Sequence, residues 1–129
     1  MQENNNNVLL YGSLRKGNYN YERFMDYFPK GLEFKSTTTI KGFDLYDLGS
    51  YPGIKKSDDP EKVLVVDIMT CSDDCFNSIN RMELGAGYSA ETVMIDETPY
   101  TIYLYEGRVN PSRLVATGDW NSRKLEVTS

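Results

Sequence analysis

The sequence predicts an α+β domain built on a strongly curved sheet or barrel, with short helices beside it. Three observations carry this expectation. About seven short β-rich segments are separated by glycine, proline and asparagine turn signals. Only two stretches show helical periodicity. At 129 residues, with 40% hydrophobic and 26% charged side chains, the chain can bury a core without disulfide or metal staples, and it reads as a single domain over 1–129.

The elements follow in order. Residues 1–7 (MQENNNN) are polar and low in complexity and are expected to be a disordered leader; they lack the basic and apolar regions of a signal peptide. Val8-Leu9-Leu10-Tyr11 reads as a strand running into the glycine-punctuated turn Gly12 to Gly17. Tyr21 to Tyr27 reads as a short helix, with Phe24 and Phe28 four apart and Pro29 beyond its end. Thr37 to Leu45 is β-rich with a break at Gly42, Gly49 to Gly53 is a turn or loop, and Lys56 to Lys62 is a solvated connection around Pro60. Val63 to Met69, the most β-branched stretch, reads as a central strand. Ser72 to Leu84 reads as a helix, with Ser72 as N-cap, Asp73 and Asp74 favourable in the first turn, and Gly85 near its end. Thr92 to Asp96 and Tyr100 to Tyr105 form a hairpin joined at Glu97-Thr98-Pro99. Beyond Glu106 the signals are turn-like, closing on a polar tail at 121–129.

Composition excludes several functions. The net charge is −5, from 14 basic and 19 acidic residues, so the surface repels phosphate backbones and anionic membranes. The longest apolar run, Val63 to Val66, is far short of the ~20 residues that span a bilayer. The chain has no histidine, which removes Ser-His-Asp and Cys-His catalysis and histidine-ligated zinc. Cys71 and Cys75 alone cannot complete a zinc site, and a reduced, cytoplasmic protein is expected. Asp58, Asp59, Asp73 and Asp74 lack the spacing of a calcium loop and read as solvated or helix-start residues.

Three features are candidates for chemistry. The first is the strand end Leu10-Tyr11-Gly12-Ser13-Leu14, where Gly12 permits a sharp turn whose N–H groups can converge on an anion. An ordinary turn followed by the solvated basic pair Arg15-Lys16 is the alternative. The second is Glu83. Seven positions after Phe76, at ~100° per residue, it falls within about 20° of that ring, in the arc that also holds Cys75, Ile79 and Met82. A carboxylate in an apolar arc acquires a raised pKa and becomes a useful acid/base near neutrality. Fraying of the last helical turn toward solvent is the bland alternative. The third is a tyrosine set: Tyr88 soon after Glu83, then Tyr103 and Tyr105 two apart on one strand face. Such a set either lines a pocket with polar-tipped rings or simply packs the sheet.

In this order, the segments resemble the gamma-glutamylcyclotransferase-like family, in particular its AIG2-like and gamma-glutamylamine cyclotransferase branch. The residues that carry the resemblance are Val8 to Gly17, Asn20, Gly49-Ser50-Tyr51-Pro52-Gly53, Ile79-Asn80-Arg81-Met82-Glu83, Tyr88, Tyr103-Leu104-Tyr105 and Gly118-Asp119-Trp120. The resemblance implies a small mixed β-barrel flanked by short helices, with a cavity beside the Tyr-Gly-Ser-Leu loop. It implies that Tyr11, Gly12, Ser13 and Leu14 bind a γ-glutamyl group and that Glu83 is the catalytic acid/base. The implied reaction releases 5-oxoproline by intramolecular attack of an α-amino group and needs no metal or cofactor. A small-molecule γ-glutamyl substrate is then the expected partner, with no nucleic acid and no membrane. A rival expectation is a non-catalytic module that captures a small anionic metabolite or nucleotide in the same cavity.

Overall fold

The structure, a computed structural model, describes residues 6–12, 15, 21–23, 26, 31–49 and 51–122. Its elements are β1 (Asn6–Leu10), β2 (Leu32–Lys41), β3 (Phe43–Asp47), β4 (Pro52–Lys56), β5 (Val63–Cys71), α1 (Asp73–Gly85), β6 (Tyr88–Ile95) and β7 (Thr98–Tyr105). Five strands form one sheet in the order β2-β5-β1-β7-β6, while β3 and β4 form a separate two-stranded sheet, with a single bridge from Tyr46 of β3 to Leu114. β1 runs antiparallel to β5 and parallel to β7, so the sheet is mixed. The expected α+β class and mixed sheet are present, but the ladder stays open, with β2 and β6 as edges. Gly42, at φ +95°, turns the chain out of β2 and into the separate β3–β4 hairpin.

The sheet divides two apolar layers. Val8 and Leu10 of β1 face α1 and pack with Met69, Cys71, Cys75 and Ile79. Leu9, and Tyr11 just beyond the strand, face the hairpin and pack with Leu45, Ile54, Val66 and Ile102. This is the two-residue alternation of a strand buried on both faces. In β2 the alternation slips. Leu32 and Phe34 belong to the helix layer and Ile40 to the hairpin layer, although all three positions have the same parity. A bulge between Phe34 and Ser36 makes the switch.

Several boundaries differ from expectation. β1 begins at Asn6 rather than Val8, because Asn6 and Asn7 pair with Cys71 and Thr70 and the Asn6 amide donates to the Cys71 carbonyl at 3.0 Å. Pro52 to Lys56 is a strand rather than the end of a loop, because it pairs with β3 and buries Pro52 and Ile54. The β6–β7 turn is Asp96-Glu97, both at positive φ, so Thr98 and Pro99 already belong to β7. Helix α1 starts as read, with the Ser72 hydroxyl accepting from Cys75 N–H at 3.3 Å. Residues 21–23 and 26 are helical, whereas Phe24, Phe28 and Pro29 lie outside the described residues. Cys71 and Cys75 are free thiols, both buried. Among the described residues no helix is long and apolar enough to cross a membrane.

The basic residue beside the β1 turn is not solvated. Arg15 is buried; its Nε donates to Asp67 at 3.2 Å and its Nη1 to Asp119 at 2.6 Å. Thr37 also donates to Asp67, at 2.8 Å. The turn after β1 is thereby fixed to β5, β2 and the chain's last described segment. That segment is itself locked in place: Val65 N–H donates to the Gly118 carbonyl at 2.8 Å. A Cβ at Gly118 would stand 1.9 Å from the Val63 carbonyl oxygen, so only glycine fits there. Asp67→Ala removes one of the two carboxylates that hold the buried Arg15 and takes the acceptor from Thr37, while Asp119 stays on Arg15. It is therefore expected to cost about 1–3 kcal/mol in urea unfolding, with an unchanged m-value, whereas exposed Asp58→Ala shifts stability by under about 0.5 kcal/mol.

Candidate functional site

The candidate site lies at one end of the sheet, where the two layers meet. β1 and β7 are parallel, so their carboxyl ends point the same way, and the antiparallel β6 brings its first residue to that end. α1 ends there too, and β4 begins there. Between them is a cavity of about 160 Å³, large enough for a small molecule and not for a polymer. Tyr11, Gly12, Glu83, Tyr88 and Tyr103 line it, together with Leu9 and Leu10.

Gly12 is demanded by close approach. A Cβ on it would lie 2.3 Å from Pro52 Cγ, so a side chain would push the β4 segment away from the cavity. Arg15 N–H donates to the Gly12 carbonyl at 2.9 Å and closes the turn. Ser13 and Leu14, the other two expected binding residues, lie outside the described residues.

Glu83 occupies the last full turn of α1, and the helical arc does turn it inward. It is partly buried, and no hydrogen-bond donor among the described residues satisfies its carboxylate. Burial alone pushes its pKa up to about 7. The surrounding phenols respond in turn. Tyr11, Tyr88 and Tyr103 are all raised above the ordinary tyrosine value, first by burial and then by neighbouring groups that include Glu83. They remain neutral near physiological pH.

The phenolic protons are already committed. Tyr11 donates to the Tyr103 carbonyl at 2.6 Å, Tyr88 donates to the Pro52 carbonyl, and Tyr103 donates to Asn80 Oδ1. These bonds tie β1, β4, β6, β7 and α1 together around the cavity. The Tyr11 oxygen is also bonded by the Ile54 backbone N–H, so Tyr11 adds its ring, while Tyr88 and Tyr103, their protons spent, have only acceptor lone pairs and apolar faces to offer. With the Glu83 carboxylate, this wall suits a ligand that brings its own donors, such as an ammonium group.

Tyr105 does share a strand face with Tyr103, as the two-residue spacing requires, but it stands one layer behind the cavity. Its ring meets Tyr88 edge-on at 5.2 Å and 60°, and it packs closely on Gly53 and Gly107. Tyr51, Pro52, Met82 and Ala86 also line the cavity without having been expected as site residues, and Asn80, off the lining, stands behind Tyr103 and accepts its hydroxyl. The Tyr51-Pro52 pair, like Asn80 and Met82, lies within the segments that carry the family resemblance, which was the available signal. Among the described residues no cluster of three or more metal-ligating side chains occurs.

Comparison with known proteins bears on the family and the fold. The family model described as gamma-glutamyl cyclotransferase, AIG2-like, matches residues 8–122. A comparison with curated proteins finds no match. Among solved structures, an uncharacterized protein from Pyrococcus horikoshii is 24% identical, with a TM-score of 0.76, covering 95% of this chain and 96% of that one. Protein ytfP from Escherichia coli is 21% identical, with a TM-score of 0.67 and coverage of 92% and 98%. An AIG2-like protein from Mus musculus is 16% identical, with a TM-score of 0.69 and coverage of 91% and 88%. At these identities the structural likeness speaks for the fold, and the match of the family model over nearly the whole chain speaks for descent. The chain belongs to the gamma-glutamyl cyclotransferase, AIG2-like family.

Proposed function

We propose that the protein is a cyclotransferase that converts a γ-glutamyl amide into 5-oxoproline and a free amine or amino acid. The observation that carries the reading is Glu83: a carboxylate without a hydrogen-bond donor among the described residues, facing a small aromatic cavity beside the Gly12 turn. Family membership supports the reaction class.

The chemistry asks little of the protein. The nucleophile is tethered to its target, so folding the substrate supplies most of the orientation. The α-ammonium, a donor, sits against the acceptor wall of Glu83 and the tyrosine oxygens. Glu83 takes a proton from it, and the freed amine attacks the γ-carbonyl carbon, forming the ring C–N bond. The tetrahedral intermediate collapses by breaking the C–N bond to the departing amine, whose nitrogen receives the proton held by Glu83. The second proton shed by the ring nitrogen passes to the same carboxylate or to water. A carboxyl with a pKa near 7 serves both transfers. The loop from Tyr11 to Leu14 is assigned the γ-glutamyl cradle, with its amides directed at substrate oxygens. No metal or redox cofactor is required, and a cytoplasmic setting suits the two free thiols.

Three outcomes are expected. Wild type releases 5-oxoproline from at least one member of a panel of γ-glutamyl amino acids and γ-glutamylamines. Glu83→Gln lowers kcat about 10²- to 10⁴-fold while substrate binding, measured by calorimetry, persists. Binding without release by wild type would instead favour the non-catalytic capture module. Second, kcat/KM rises with pH through about 7 as Glu83 ionises, and that limb is absent from residual Glu83→Gln activity. Third, the folded state holds the Glu83 proton up to about pH 7, whereas the unfolded chain releases it near 4.5. The native state therefore binds more protons across this window, and stability falls as pH rises through it. Glu83→Gln removes that loss, gaining on the order of 2–3 kcal/mol relative to wild type between pH 4 and 8, read by urea unfolding.

A further inference from the structure

We propose that Tyr51 and Met82 form a leaving-group subsite at the mouth of the cavity, selecting γ-glutamyl amides whose departing amine carries an apolar alkyl or aryl body. The inference rests on the cyclotransferase reading and adds a specificity to it.

Both side chains line the cavity, yet Tyr51 is 44% and Met82 39% exposed. They therefore stand where the cavity opens to solvent. The other large exposed hydrophobics, such as Leu84 and Met94, are not on the lining. Exposed apolar side chains of this size cost solvation without a partner, and a pair at one cavity mouth has the character of a binding rim.

The distribution of polar groups sets the substrate's direction. Glu83 and the buried Tyr11, Tyr88 and Tyr103 occupy the inner wall, which suits the polar γ-glutamyl end. The departing amine lies on the other side of the reacting carbonyl and points to the mouth. There it meets the Tyr51 ring and the Met82 thioether, a flat face and an adaptable one. No lysine or arginine is found among the described lining residues, so the rim offers apolar area and no fixed cation. Tyr51 is placed to cover the amine closely: it directly precedes Pro52, whose carbonyl Tyr88 holds, and its hydroxyl is near enough to Tyr88 to act on it electrostatically.

The test is 5-oxoproline release from a series of γ-glutamyl amides of ethylamine, butylamine, hexylamine and phenethylamine, with the ethanolamine amide as polar control. In wild type, kcat/KM is expected to climb about two- to fourfold per added methylene until the rim is covered, through KM rather than kcat. The phenethyl amide should exceed the ethanolamine amide by at least about tenfold. Tyr51→Ser and Met82→Gln, both exposed and checked for folding by thermal melting, should flatten the slope with chain length. Turnover with a flat series in wild type, or a slope unchanged in both variants, overturns the subsite and leaves the cyclotransferase reading standing. Absence of release from every amide, together with none from γ-glutamyl amino acids, overturns both.

Discussion

β1 is buried on both faces, and the rest of the molecule is arranged around that burial. Val8 and Leu10 are covered by α1, while Leu9 and Tyr11 are covered by the β3–β4 hairpin. A strand with no solvated face needs partners on both edges and a layer above and below. β5 and β7 supply the edges, antiparallel and parallel, and the chain's two remaining layers supply the covers. The same strand then has to end abruptly, because its neighbours leave no room to continue. Gly12 lies against Pro52, and Arg15 is drawn into the ion pairs with Asp67 and Asp119. The cavity is what remains beyond that ending.

This placement explains how a histidine-free chain comes to hold a group that titrates near neutrality. Glu83 needs no charged neighbour for its shift; withdrawal from water is sufficient. The tyrosine hydroxyls that would have satisfied it are spent on the Tyr103 and Pro52 carbonyls and on Asn80. Spending them this way has two effects at once. It knits five elements around the cavity, and it leaves the carboxylate unsatisfied by the groups nearest to it. The cost to folding and the reactivity of the carboxyl are the same desolvation seen from two sides.

The polarity of the cavity also runs in one direction, from acceptors inside to an apolar rim at Tyr51 and Met82. Met82 and Glu83 are consecutive on α1, and Tyr51 and Pro52 are consecutive at the start of β4. Helix and strand end thus each deliver one residue to the inner wall and one to the mouth. A helix displaced or rotated by a single position would exchange these roles, which is why the Tyr103–Asn80 hydrogen bond, one turn before Glu83, matters to the site's geometry.

The sequence by itself determined the local periods. The strand identity of Val8 to Leu10, the Ser72 cap, the inward arc of Glu83 and the shared face of Tyr103 and Tyr105 all follow from spacing and residue type, because each depends only on neighbours within a few positions. The ordered motifs also carried the family. Other features were decided by tertiary structure. The β2 bulge that switches Ile40 to the hairpin layer, the pairing that makes Asn6 a strand residue, and the burial of Arg15 between Asp67 and Asp119 join parts of the chain 30 to 104 residues apart. Tyr105 standing behind Tyr88 rather than on the cavity, and Tyr51 reaching its mouth, belong to the same class. No local pattern encodes such contacts, since partner and distance are fixed only when the layers close.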